Sequence, residues 1–303
     1  MIEVLSIATP FSVRQACSVM EVSVSGFYAH KNKSQRVRRQ EDEHIISVMK
    51  EVFEASGHSY GSVRLVKGLR KRGLSCGKTR VRRLMKQEGL CPKQKRRFRV
   101  QTTRSNPHLP VAPNLAALAP PPTRPGQSWK SDITYIPTRE GFLYLGATLD
   151  AFSRRCAGWC ARDNMETSLV THAAQMAFGS TSHRAAASIH HSDRGSQYAS
   201  EPFRLLLEGE QITQSMSRKG NCYDNAMMES FWATLKTECG KAFGFDNFRE
   251  TIPESRQQAQ GMIFRYIELF YNRERFHSAL DYQSPVQFEN NWTQQHLTVQ
   301  CST

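Results

Sequence analysis

Apolar side chains recur three or four positions apart through most of the first 90 residues. This spacing places them on one face of a helix and predicts helices at residues 12–20, 24–30, 61–72 and 78–88. A short polar turn separates the first two helices, and a turn that begins at Gly73 separates the last two. Both pairs have helix-turn-helix spacing, so we predict that the amino-terminal part of the chain is all-α.

From residue 129 onward, apolar and polar positions alternate, which is typical of strands. Three such runs are joined by short turns and predict an antiparallel three-strand meander; two further strands alternate with helices. We therefore expect an α/β fold with a mixed sheet, in the order found in ribonuclease H-like folds. The predicted elements are strands 129–137, 141–149, 154–161, 187–191 and 211–215, helices 166–178 and 201–209, a long helix that begins near Asp224, and a helix from about 249 to 271.

Proline is concentrated between residues 106 and 127, which hold seven of the thirteen prolines. Proline at this density favours an extended tether without helix or sheet. Part of this stretch, residues 115–122, is rich in alanine as well. We therefore predict a basic helical region, a proline-rich linker, a ribonuclease H-like core with a carboxy-terminal helix, and a tail, at residues 1–105, 106–127, 128–290 and 291–303.

The chain carries 41 Lys and Arg against 27 Asp and Glu, and the excess lies in one region. Residues 1–110 hold 23 basic and 8 acidic residues, whereas residues 111–303 hold 18 and 19. This asymmetry favours a polyanion, DNA, as the partner over a basic surface kept for solubility. An ordinary charged helix exterior remains the alternative for the predicted contacts, which are Arg80, Arg82, Arg83, Lys86, Lys95, Arg96 and Arg97.

Composition argues against several other classes of protein. No stretch approaches the ~18 consecutive apolar residues of a membrane helix, and the amino terminus lacks the basic start of a secretory signal. The eight cysteines contain no CxxC pair, so neither a disulfide scaffold nor a zinc module is expected. The run 76–79 lacks the glycine spacing of a phosphate-binding loop. We predict a cytoplasmic protein with reduced thiols and no membrane partner.

Three carboxylates stand where the predicted fold could bring them together. Asp132 lies within the first strand, where a charge is costly unless a partner such as a metal ion compensates it. Asp193 follows the fourth strand in a sequence that alone indicates a turn, and Glu229 lies one turn into a helix, where an exposed glutamate is common. Such hard oxygen donors suit Mg²⁺, and two ions ~4 Å apart can serve phosphodiester chemistry.

The surroundings of these acids resemble bacterial insertion-sequence transposases of the Asp-Asp-Glu type, whose catalytic chain is called OrfB. The core of these enzymes is similar to that of retroviral integrases. The resemblance extends from about residue 44 to residue 289 and includes a gap of 35 residues between the second and third acids. The matching segments are 60–64, 82–85, 131–135, 141–145, 149–150, 153–154, 158–159, 191–198, 220–226, 229–230, 271–275, 277–280 and 284–285.

The resemblance implies that Asp132, Asp193 and Glu229 are catalytic and bind Mg²⁺, with Mn²⁺ as a substitute and two ions per active site. It implies hydrolysis of a phosphodiester at an element end and in-line attack of the freed 3′-hydroxyl on a second phosphodiester. The implied partners are the terminal repeats, target DNA, further copies of the chain and an upstream-frame helix-turn-helix protein, at the nucleoid. The alternative is a DNA-binding protein, derived from a transposase, that no longer cuts.

Polar residues near the three acids are further candidates. Lys236 follows Glu229 by two helical turns and could hold a DNA end, although a solvent-exposed lysine is an equal alternative. Arg218 and Lys219 lie in a polar loop that precedes the helix and could close over the scissile phosphate. Asp224 or Asn221 could cap that helix. Asp150 could be a fourth ligand, but its place at a strand end favours a turn.

Overall fold

The computed structural model describes two compact units, and each is considered by itself. The first unit contains residues 1–53 and 61–91, and the second contains residues 54–60 and 92–303. The described residues are 12–92, 110–180, 188–218, 222–239 and 252–300, without the side chains of 30–38, 222–223 and 297–300.

The first unit begins with helix α1 (Val13–Val19), which is fixed by a capping box. The Ser12 hydroxyl accepts from the backbone N–H of Gln15, and the Gln15 side chain accepts from the backbone N–H of Ser12. Helix α2 (Val24–Ala55) follows. The prediction that this helix ends near residue 30 is wrong, because no glycine or proline interrupts the sequence from there to Ala55.

Helices α3 (Ser62–Lys71) and α4 (Lys78–Gln87) confirm the second predicted helix pair. Gly73 has a φ of 81° and ends α3, as the sequence indicates. Gly68 allows α3 to pack against α2, because a Cβ there would come within 2.5 Å of Val52 Cγ1. The fully buried side chains of the two helices are Leu65, Leu69, Val81 and Leu84.

The second unit is built on a five-stranded mixed sheet with the order β3-β2-β1-β4-β5. β1 pairs antiparallel with β2, and β2 with β3; β4 lies parallel between β1 and β5. The predicted meander and mixed α/β sheet are therefore confirmed. The strands are β1 (Ser128–Thr138), β2 (Gly141–Asp150), β3 (Cys156–Arg162), β4 (Ser188–Ser192) and β5 (Ile212–Met216).

Helices cover both faces of this sheet. On one face, α5 (Thr167–Gly179) and α6 (Glu201–Gly209) form a core with Trp129 of β1. The close approach of α5 requires glycine at position 158 of β3, since any Cβ there would meet the helix backbone. On the other face lie α7 (Ala226–Glu238), α8 (Arg256–Phe264) and the π-helical segment Arg265–Tyr271 that continues α8.

The carboxy-terminal elements belong to the second unit. The predicted helix from about 249 corresponds to α8 and its π-helical continuation, and its residues 249–251 lie outside the described part of the chain. Its residues Ile263, Tyr266, Ile267 and Phe270 pack in the core of the second unit, whereas Phe264 and Leu269 are half exposed. Helix α9 (Pro285–Gln300) is the last element, so the proposed boundary at residue 290 falls inside a helix. None of the described helices is long and apolar enough to cross a membrane.

The described part of the proline-rich stretch, residues 110–127, forms neither helix nor strand, as predicted. It is nevertheless not an open tether, because it is bonded along the core. The carbonyl of Pro113 accepts from the backbone N–H of Met216 at the end of β5, and the N–H of Gly126 donates to Asp150. The first contact covers part of an edge strand, which would otherwise expose unpaired backbone groups.

Candidate active site

The parallel pairing of β1 with β4 brings two of the three acids to the same level of the sheet. Lys130 and His191 are the last paired residues of these strands. Asp132 follows Lys130 by two residues, and Asp193 follows His191 by two residues. Asp193 has already left its strand, and one of its carboxylate oxygens accepts from the backbone N–H of Gly195 at 2.9 Å. This bond fixes the turn that the sequence predicted there.

Glu229 is held over this sheet by helix α7. Asn225 is the N-cap residue, and Glu229 lies in the first turn, where the helix dipole favours a negative charge. The helix is anchored by its buried side chains, which pack on β1 and β2, while Glu229 itself is exposed. One turn later, the indole Nε1 of Trp232 donates a 2.9 Å hydrogen bond to Oδ2 of Asp132. The helix therefore carries one acid and contacts another.

The three carboxylates share one electrostatic environment. Burial raises the pKa of Asp132 to about 7, and the negative charges of Asp193 and Glu229 contribute to the same shift. The N–H groups of Trp232 and Ile133 oppose it, because they stabilise the ionised form. A group under such repulsion is one that a bound cation would stabilise in its charged state.

The carboxylates are neighbours, but they do not form a closed ligand set. Among the described residues, no group of three Asp, Glu, His or Cys side chains is arranged to hold a metal ion. Like charges repel one another, and the exposed side chain of Glu229 has room to reorient. In chemical terms the donors fit a hard divalent cation, since all three are carboxylates and none is a soft sulfur ligand.

Asp224 makes a clamp at the start of α7 rather than a helix cap. Its carboxylate accepts from the backbone N–H, Nε and Nη2 of Arg218, and from Nδ2 of Asn114 at 2.8 Å. The Arg218 guanidinium is the main reason that the pKa of Asp224 lies below its usual value. Asn221, the other predicted cap, and Lys219 lie outside the described residues. The predicted DNA contact Arg218 is thus already paired with a carboxylate.

Asp150 has the role that its place at a strand end suggested. Its two oxygens accept backbone N–H groups from Gly126, Phe152 and Ser153, together with the Ser153 hydroxyl. These bonds satisfy the carboxylate locally and tie the linker to the turn after β2. Asp150 therefore stabilises this turn, and its oxygens are engaged by these donors instead of serving as a fourth ligand.

Two lysines belong to the elements that carry Asp132 and Glu229. Lys236 extends from α7 over the ring of Tyr135 on β1, with Nζ 5.0 Å from the ring centroid. Lys130 precedes Asp132 by two positions on the same face of β1. Burial lowers the pKa of Lys130 to about 8, and the charge of Asp224 opposes the shift. Lys130 was not among the predicted site residues. Its position two residues before Asp132, on the same face of a predicted strand, was the signal that could have identified it.

Of the basic residues predicted to contact DNA on α4, two are engaged within the first unit. Arg80 Nε lies 2.7 Å from Asp42 Oδ1, and Arg83 pairs with the other oxygen of the same carboxylate at 2.5 Å. Arg82 and Lys86 are exposed. These two residues therefore remain the strongest predicted contacts on α4. The other predicted contacts, Lys95, Arg96 and Arg97, lie outside the described residues.

Trp232 contacts Asp132, but it was not among the predicted site residues. The signal was its position three residues after Glu229, which puts both side chains on the same face of a helix. The sequence could not show that the indole N–H reaches Asp132, because that contact joins residues 100 positions apart.

Comparison with protein-family models gives three matches along the chain. An integrase core domain matches residues 122–222, and a second integrase core domain model matches residues 210–285. An HTH-like domain matches residues 40–98. The integrase core matches agree with the predicted ribonuclease H-like fold, and the third match agrees with the predicted helical DNA-binding region.

Proteins of bacterial insertion sequences are similar to most of the chain. The 31 kDa protein of insertion element IS600 of Shigella sonnei is 42% identical over 278 residues, which cover 92% of this chain and 98% of that protein. Transposase InsF for insertion sequence IS3A of Escherichia coli K12 is 37% identical over 282 residues, with coverage of 92% and 94%. A solved catalytic core domain of HTLV-2 integrase covers 55% of this chain and 98% of its own, at 13% identity and a TM-score of 0.42.

Proposed function

The chain belongs to the insertion-sequence transposases that carry an integrase core domain, and from this premise we propose that Asp132, Asp193 and Glu229 are its catalytic residues. The family and its role in DNA transposition agree with the resemblance found in the sequence. The proposal concerns the residues and the reaction. The observation that carries it is the convergence of three carboxylates from β1, the end of β4 and the first turn of α7 on one electrostatic environment.

The proposed reaction has two in-line displacements at phosphorus. In the first, a water oxygen attacks the phosphodiester at an element end, and the bond between phosphorus and the 3′-oxygen breaks to leave a 3′-hydroxyl. In the second, that hydroxyl attacks a phosphodiester of the target, which releases a new 3′-hydroxyl there. No covalent bond to the protein is needed at either step.

The three carboxylates would hold Mg²⁺, or Mn²⁺ in its place, because their oxygens are the donors that such ions prefer. When bound, two ions would supply an activated oxygen nucleophile and neutralise the leaving oxygen. The chain's own contribution is placement. β1 and β4 fix the positions of Asp132 and Asp193, and α7 brings Glu229 to them.

The first unit would bind DNA, and lysines on β1 and α7 would contact the strand at the acids. The HTH-like match and the exposed Arg82 and Lys86 support contact of the first unit with the phosphate backbone. Lys236 on α7 and Lys130 on β1 share elements with Glu229 and Asp132, and they would face a bound strand. Element ends and target DNA are the proposed substrates, and the proposed setting is the bacterial cytoplasm at the nucleoid. Further copies of the chain and an upstream-frame helix-turn-helix protein are the proposed partners.

Nicking of supercoiled plasmid in Mg²⁺ or Mn²⁺ tests this proposal. Wild type should nick, and Glu229→Gln should not, because it removes a charged ligand while keeping the shape of the side chain. Glu201→Gln is the matched control, since Glu201 is also an exposed glutamate in the first turn of a helix. Equal nicking by wild type and Glu229→Gln would show that the three carboxylates are not catalytic.

The second candidate is a DNA-binding protein that does not cut. It is favoured by the absence of a closed ligand set among the described acids. If wild type binds DNA without nicking it, the assay is repeated with the chain fused to its upstream frame. Continued failure of the fused chain to nick would establish the non-catalytic alternative.

A further inference from the structure

The carboxylate of Asp132 is held by one side chain from the opposite element. Nε1 of Trp232 lies 2.9 Å from Oδ2 of Asp132, and the two residues come from α7 and β1. An indole N–H can donate but cannot accept, so this contact binds the carboxylate and offers nothing to a cation. The bond therefore engages one of the two oxygens of Asp132 and orients the other.

The position of the indole is fixed by the core. Trp232 is only 7% exposed and packs against Phe231, with ring centroids 4.8 Å apart. Both belong to the cluster in which α7 packs on β1 and β2. The donor therefore cannot follow Asp132 if that side chain rotates, and it selects one orientation of the carboxylate.

We propose that Trp232 is a positioning residue, whose indole N–H fixes Oδ2 of Asp132 so that Oδ1 is presented to a divalent cation. This inference rests on the proposed function of the three carboxylates. Asp193 would repel an unrestrained Asp132, since each acid follows a paired residue of neighbouring strands, Lys130 or His191, by two positions. The hydrogen bond opposes that repulsion before any cation arrives. Because Glu229 lies one turn before Trp232, α7 supplies one carboxylate and orients a second.

The chain provides a matched control for the same kind of bond. Nε1 of Trp159 donates to Oε1 of Glu268, also at 2.9 Å. Trp159 packs against the same hydrophobic cluster, but neither of these residues belongs to the proposed site. Trp159→Phe therefore removes an indole–carboxylate bond without changing the three acids.

The affinity of the metal-free protein for Mn²⁺ tests the inference without an activity assay. Electron paramagnetic resonance measures the concentration of free Mn²⁺ during the titration. Trp232→Phe keeps the ring and removes the donor, so its Mn²⁺ affinity should fall about tenfold, as is typical when a partner of a metal ligand is lost. Trp159→Phe should bind Mn²⁺ with the same affinity as wild type. Thermal unfolding of each variant shows whether it is folded.

Two further variants separate the inference from the function on which it rests. If Asp193→Asn and Glu229→Gln lose Mn²⁺ but Trp232→Phe binds it like wild type, the role of Trp232 is overturned and the metal site stands. If the two carboxylate variants bind Mn²⁺ no differently from wild type, the metal site fails and the inference fails with it.

A measurement on wild type covers the case in which Trp232→Phe does not fold. With ¹⁵N-labelled tryptophan, the indole resonance of Trp232 should shift when Mg²⁺ is added, because the carboxylate that accepts its proton becomes a ligand. The resonance of Trp159 should not shift. The two are assigned through Trp159→Phe and through variants of Trp129 and Trp292. An unmoved Trp232 resonance at saturating Mg²⁺ would overturn the proposal.

Discussion

Asp132 on β1 and Asp193, which lies one residue beyond the end of β4, each follow a paired residue of these neighbouring parallel strands, Lys130 and His191, by two positions. Two acids in this arrangement cannot both ionise without a cost when no cation lies between them. Burial is the main reason that the pKa of Asp132 is raised to about 7, and repulsion by Asp193 adds to the shift. The ionised form of Asp132 therefore lowers the stability of the metal-free fold.

Asp132→Asn should therefore stabilise the metal-free protein at high pH. A carboxyl whose pKa is raised on folding contributes stability that is fully present below its unfolded value near 3.8 and is lost as the pH rises through about 7. At pH 8 the gain from removing the charge should be about 4 kcal/mol, and at pH 4 it should fall below about 1 kcal/mol. Urea unfolding in EDTA at both pH values measures this, and an equal effect at both would contradict the assignment.

Acid should destabilise the fold through His190. This side chain is buried, its Nε2 lies 2.7 Å from Ser131 Oγ, and burial lowers its pKa to about 3. A histidine whose pKa is lowered on folding contributes stability that is present above its unfolded value near 6.5 and is lost as the pH falls.

The stability difference between wild type and His190→Gln should narrow by about 2 kcal/mol between pH 7 and pH 5, because glutamine cannot take up the proton. Urea unfolding of both proteins across this range checks the expectation. His172→Gln, at an exposed histidine, is measured beside it as the control variant. A constant difference between wild type and His190→Gln would show that His190 is not held neutral by the fold.

Neighbouring arginines on α4 should affect DNA binding differently. Arg82 is exposed, whereas Arg83 pairs with Asp42. If Arg82 contacts phosphate, Arg82→Ala should weaken binding to all sequences alike and reduce the slope of log affinity against log salt by about 0.9.

Arg83→Ala is the matched control, and it should change the slope less because the guanidinium is already paired. Filter binding or fluorescence anisotropy at several salt concentrations measures both slopes. A larger change for Arg83 than for Arg82 would show that the ion pair with Asp42 opens on DNA, and a sequence-selective loss would indicate direct base reading.

The buried pair of Glu238 and Arg275 should be important for stability. Both side chains are 4% exposed, and Nε of Arg275 lies 2.7 Å from Oε2 of Glu238. Glu238→Gln leaves a buried cation without its partner and should lower the free energy of unfolding by about 3–5 kcal/mol. Glu254→Gln breaks the exposed pair with Arg139, whose side chains are 66% and 70% exposed, and should cost less than about 1 kcal/mol. Similar thermal unfolding midpoints for the two variants would contradict this ranking.

The sequence by itself determined the order and type of most elements. Alternation predicted the strands of the meander, and three-residue and four-residue spacing predicted α3 and α4, because the side-chain period follows directly from backbone geometry. The apolar spacing also predicted that the second helix ends near residue 30, whereas α2 continues to Ala55. Gly57, with a φ of 59°, follows Ala55 by two residues, so the end of α2 is marked by a glycine further along the sequence than the predicted end.

The sequence also identified the three acids, but only the tertiary structure decided what surrounds them. Register between β1 and β4 sets Asp132 beside Asp193, and the packing of α7 brings Trp232 to Asp132. Likewise, Asp224 binds Arg218, and Asp42 engages Arg80 and Arg83. Hydrogen bonds and ion pairs depend on distances between residues far apart in the chain. A local pattern can therefore name the charged groups, while the fold determines which of them meet.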